Sequence, residues 1–312
     1  MKLIKDLIRN LWNGWSQFWF APISLLNLAV FRIVFCGTLF LMYLSRQPDV
    51  TLYFTDAGIL PKSMSSEVLL EFYRPILHFT FWSDAWVPWV HGFFVLSLLL
   101  LCLGIGGRAL GLIATFLHIS FLQRNYSIAF GADQISVLFL FYLSMTQSCA
   151  RLSVLSMTRR FQLKYQSIEF SDAFSSMGYR LLQVQLCVIY AFSGFEKLKG
   201  ASWWDGTALW TVMANSQMVV ADFTWLSHIP ILIAVIGFST IGFEVYFTPL
   251  VWNIKTRKYI LSLGVLFHAG IGVIMALYSF AFVMIAPYIL FLREETVRKY
   301  LDLLGARLRV SK

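Results

Sequence analysis

Lys197 falls within the stretch YAFSGFEKLKGASWWDGTALW, residues 190–210, where an apolar helical pattern gives way to Trp203, Trp204 and the turn Asp205-Gly206-Thr207. At alternating spacings of four and three it shares a helix face with Gln183, Cys187, Tyr190 and Gly194. Two chemistries fit that face. Burial would favour the neutral amine, which then acts as a base near neutral pH, with Gly194 leaving space one turn earlier for a ligand or another helix. Alternatively, the amine snorkels to a membrane interface beside the tryptophans. Spacing alone favours the anchor.

A second group consists of ionisable residues inside apolar runs, where charge is costly and calls for a partner. Arg32, Glu244 and His268 lie eight to ten residues from the inner ends of their runs, a depth of about 12–15 Å at the helical rise. An Arg32–Glu244 ion pair with His268 nearby would satisfy that charge, and a structural pair is favoured over a proton or substrate path. Gly264 and Gly272 flank His268 and permit close backbone approach. In the loop QRNYSIAFGADQ, Tyr126, Asp133 and Gln134 stand at the ends of two runs, and Asp133 is placed to cap the second. Beyond WWDG, Thr207 to Val219 is apolar enough for a short re-entrant or interfacial helix.

The elements that must position these residues are membrane helices. The chain has 312 residues, 58% apolar and only 13% charged, against about 25% charged in soluble domains, so a water-facing surface cannot be assembled from it. Apolar runs near 24–45, 88–106, 108–123, 133–150, 179–200, 228–252, 258–276 and 279–293 predict an all-α polytopic bundle of about eight spans. Residues 1–23 carry no cleavage pattern and predict an amphipathic interfacial helix. Residues 24–293 form one membrane domain and 294–312 a basic tail. The net charge of +9 is explained by basic residues gathered on one side, which puts both termini in the cytoplasm without invoking nucleic acid. The 46–87 loop then faces outward, with Asp56-Ala57-Gly58 and Pro61 as turn signals for either a structured cap or a plain connector. Cys36, Cys102, Cys149 and Cys187 lack metal or redox spacing, and no metal is expected.

Four stretches together resemble the HTTM (horizontally transferred transmembrane) family, the membrane part of vitamin K-dependent gamma-carboxylases. They are AVFRIVFCGTLFLMYL followed by YFTDAGILP, then RNYSIAFGADQ, then YAFSGFEKLKGASWWDGTALW, then FHAGIGVIMALYSFAFVMIAPYILF. The resemblance implies that Lys197 is the base acting on vitamin K hydroquinone or menaquinone, with Tyr126, Tyr190, Gly194 and His268 as the cofactor's surroundings. It also implies an architectural role for Glu244 and His268. Glu196 stands where the carboxylases carry a second lysine, Tyr126 stands where they carry histidine, and the large propeptide-binding domain has no counterpart. The expected function is therefore a quinone-linked epoxidase- or carboxylase-like enzyme of the cytoplasmic membrane. The alternative is a non-catalytic maturation or secretion factor for a small peptide toxin of the sporulation-delaying type. Membrane lipids and a small peptide or protein substrate are the expected partners.

Overall fold

A helix closes its own N–H and C=O groups, which is what an apolar solvent demands of a chain this poor in charge. Every regular element in the structure, a computed structural model describing residues 2–68, 83–154, 171–303 and 305, is accordingly helical. Among the described residues, three helices are long and apolar enough to cross a membrane: Leu25–Leu44, Pro230–Trp252 and Arg257–Met275, with mean hydropathies of 2.1, 1.8 and 1.6. The protein is thus an all-α, membrane-associated chain. It divides into two compact units, residues 1–182 with 292–312, and residues 183–291.

In the first unit, α1 (Lys2–Phe20) leads through a short turn to α2 (Leu25–Leu44), where Ser24 Oγ caps the helix by accepting from Asn27 N at 3.1 Å. Short helices α3 (Val50–Phe54) and α4 (Lys62–Val68) follow, then α5 (Val87–Cys102), α6 (Gly107–Arg124) and α7 (Gly131–Ser144). α2 packs on α5, α5 on α6, and α6 on α7. Phe31, Phe35 and Phe139 are stacked or edge-on at 5.2–6.4 Å in the core. α8 (Ala173–Lys199) carries the division between units, Leu182 ending the first and Gln183 opening the second.

The second unit continues with α9 (Ala201–Trp204), α10 (Ala208–Met213), α11 (Pro230–Trp252), α12 (Arg257–Met275) and α13 (Tyr278–Ile285), which tightens into a 3₁₀ turn over Ala286–Phe291. α12 packs against both α11 and α13. Finally α14 (Glu294–Leu303) returns to the first unit, where Ser24 Oγ donates to Glu294 Oε2 at 2.8 Å and Asn27 Nδ2 to Leu292 O at 2.7 Å.

Several boundaries differ from the expected stretches, three of them where polar bonds accompany the change. The run expected to end at 150 leaves its helix at Ser144, because Arg32 holds the carbonyls of Ser148, Arg151 and Leu152. α8 begins at 173, several residues early, because Asp172 Oδ1 accepts from Ser175 N at 2.8 Å. The segment expected as one helix over 207–219 forms only α10 before turning, and Val220 N then donates to Ile274 O at 2.9 Å. Parts of the 46–87 loop and of the basic tail lie outside the described residues.

Candidate functional site

Lys197 lies on the last turn of α8, and its amine turns inward along the helix. Nζ donates to Ser193 Oγ at 2.7 Å and to Glu244 Oε1 at 2.9 Å, with Glu244 Oε2 at 2.7 Å. It also lies 5.3 Å from the Trp203 ring centre. The side chain is 20% exposed and that of Glu244 6%. The amine therefore turns back onto a carboxylate and a hydroxyl instead of reaching outward along the chain.

Gly194 explains how the two helices come close enough for that pair. A Cβ there would stand 2.9 Å from Val245 Cγ2, 3.0 Å from Val245 N and 3.2 Å from Glu244 Cβ. The space expected beside Gly194 for a ligand is filled by α11. Of the two occupants the spacing allowed, the structure has the helix.

Tyr190, two turns before Lys197, continues the polar face. Its hydroxyl is 2.6 Å from His268 Nε2 and 2.5 Å from the Tyr288 hydroxyl. All three side chains are buried, and Phe247 and Phe243 stack around Tyr190 at 4.1 and 5.2 Å. Gly264 makes room for this chain, since a Cβ there would collide with the Tyr288 ring and hydroxyl. His268 Nδ1 is buried with no hydrogen-bond partner. The second unit thus holds a column of polar groups in an apolar interior, a pair at one level and a three-membered hydrogen-bond chain at the next.

The expected Arg32–Glu244–His268 network is corrected at each member. Glu244 takes Lys197 as its partner, and His268 takes Tyr190. Arg32 belongs to the first unit, where Nη1 donates to the carbonyls of Ser148 (2.6 Å) and Arg151 (3.3 Å) and Nη2 to that of Leu152 (2.7 Å). Carbonyl oxygens take both terminal nitrogens of the fully buried guanidinium, while its Nε has no hydrogen-bond partner. Equal depth was the ground for pairing Arg32 with Glu244, and depth counted from helix ends says nothing about which faces meet.

Tyr126 also belongs to the first unit, half-exposed, accepting from Gln134 Nε2 at 2.8 Å. Nearby Asp133 does cap α7, its Oδ2 accepting from Phe130 N at 3.2 Å. It does more than cap. Arg46 grips both carboxylate oxygens at 2.9 and 3.1 Å, and the Tyr43 hydroxyl donates to Oδ1 at 3.2 Å. The loop after α2 is a structured cap over its described part. Asn125 Nδ2 donates to Tyr53 O at 2.7 Å, Arg124 to Leu60 O at 2.8 Å, and Lys62 to Asp84 at 2.8 Å. The Lys62 amine holds the Asp84 carboxyl below the usual carboxylate range.

Sequence reasoning missed Ser193 and Tyr288. Ser193 could have been found, because it stands four residues before Lys197 on a helix. Tyr288 carried no local signal, since it is brought to Tyr190 from a different helix nearly a hundred residues away. Among the described residues, no group of three or more His, Cys, Asp or Glu is placed to hold a metal ion.

No family model matches the chain, and no solved structure matches it at a significant level. Over 117 residues the chain is 26% identical to the sporulation-delaying protein SdpB of Bacillus subtilis (strain 168), a stretch covering 36% of each protein. The chain therefore spans about a third of the length of that curated relative.

Proposed function

We propose that this chain is an integral membrane protein that assists the maturation or secretion of a small peptide, and that it is not itself a catalyst. The observation carrying this reading is the 117-residue similarity to sporulation-delaying protein SdpB. The geometry around Lys197 agrees with it, because the amine donates to Glu244 and Ser193 as a structural ion pair would. In this reading about eight helices cross the cytoplasmic membrane and both termini are cytoplasmic.

Deleting the coding sequence in its host and following short peptides by mass spectrometry tests the proposal. One secreted peptide should vanish from the medium while its precursor builds up in the cells. An unchanged peptide profile, together with Lys197-dependent oxidation of a menaquinone hydroquinone by the purified protein, would return the chain to the quinone-linked enzymes.

A further inference from the structure

α1 leaves most of its length without a partner in the described chain. Ile4, Leu7, Ile8, Leu11, Trp12 and Trp15 are 58–67% exposed and recur at the three-and-four spacing of one helix face. Asn10 and Asn13 lie on the opposite face, while Lys5 and Arg9 run along one edge of the stripe, Arg9 paired with Asp6. A solitary helix of this length is marginal in water, so the stripe needs a cover.

Its end is fixed. Arg180 Nε donates to Phe18 O at 2.9 Å and its guanidinium lies over the Phe18 ring. Only Ala21–Ser24 separate α1 from α2, the helix of highest mean hydropathy among the three long ones, so α1 stands at the level where that apolar stretch begins. Lys2, Lys5 and Arg9 against Asp6 leave α1 net positive, in a chain whose net charge is +9.

We infer that α1 is an in-plane anchor whose apolar stripe is covered by the acyl region of a bilayer, with its cationic edge drawn to anionic lipid headgroups. A second copy of the chain covering the same stripe would lack the charge complement, because the edge it would meet is equally basic. The inference rests on the membrane-spanning reading above, and the test separates the two.

The full-length protein, with p-benzoylphenylalanine in place of Leu11, of Asn13 or of Leu41, is placed in nanodiscs of equal parts phosphatidylglycerol and phosphatidylcholine and irradiated. Leu41 is an exposed apolar position on α2 and reports the spanning reading. Mass spectrometry should find lipid adducts at Leu11 several-fold above those at Asn13, with phosphatidylglycerol above its mole fraction. In the Lys5→Gln/Arg9→Gln variant that enrichment should disappear. Lipid adducts at Leu41 with none at Leu11, or a crosslinked dimer from Leu11, would overturn the anchor alone. Absence of adducts at Leu41 would overturn the spanning reading, and the anchor with it.

Discussion

Glu244 and Lys197 are each costly without the other. Removing one partner of a buried pair typically costs roughly 3–5 kcal/mol, because the remaining charge is stranded. Glu244→Met and Lys197→Met should each lower the melting temperature in detergent, while Lys197→Met/Glu244→Met should recover a large part of the loss. Simple addition of the two losses would mean that the side chains are uncoupled. Arg32 predicts a different signature. Arg32→Gln frees the carbonyls of Ser148, Arg151 and Leu152, so hydrogen exchange should speed up selectively over residues 148–154. Uniform acceleration across the first unit would contradict a local clamp. At this scale the sequence identified the costly residues but assigned the wrong partners. Charge scarcity marks Arg32, Glu244 and Lys197 as needing company, whereas the choice of company depends on helix rotation, which composition does not encode.

The close meeting of α8 and α11 depends on Gly194. Gly194→Leu puts a side chain into Val245 and Glu244, so its first effect should be lost stability; overpacking typically costs about 1–3 kcal/mol. A Gly194→Leu protein with unchanged melting temperature would instead restore the cavity interpretation. At the start of α8, burial alone would raise the Asp172 carboxyl, but the hydrogen bonds from Arg108 and Ser175 hold it below the usual carboxylate range. A carboxyl lowered by folding adds stability above its unfolded value of about 4, and loses it as pH falls through the lower folded value. Asp172→Asn should therefore destabilise at neutral pH and flatten the acid limb of a melting-temperature profile. An acid limb of unchanged slope would remove Asp172 from that linkage.

Most helix positions were legible because apolar runs in a charge-poor chain have few alternatives. Leu25–Leu44 and Arg257–Met275 fall within a residue of the expected stretches. Some misplaced ends are accompanied by polar bonds from elsewhere in the sequence, such as Arg32 to the 148–152 carbonyls, and no periodicity announces them.

For the molecule as a whole, the basic-residue asymmetry predicts where loops lie. With Cys36, Cys102, Cys149 and Cys187 replaced, a cysteine at exposed Lys258 should resist an impermeant thiol reagent in intact cells, while one at exposed Met64 should react. The reverse pattern would invert the topology.

We propose that Lys197 serves the architecture of the second unit and that the protein acts through a peptide client. The most direct measurement is the charge swap Lys197→Glu/Glu244→Lys, scored for melting temperature and for release of the mature peptide. A structural pair works in either direction, so the swap should stay near the wild-type melting temperature and sustain peptide release where Glu244→Lys alone fails. A swapped protein that folds normally yet releases no peptide would show that the amine is needed at position 197 itself, which contradicts the account.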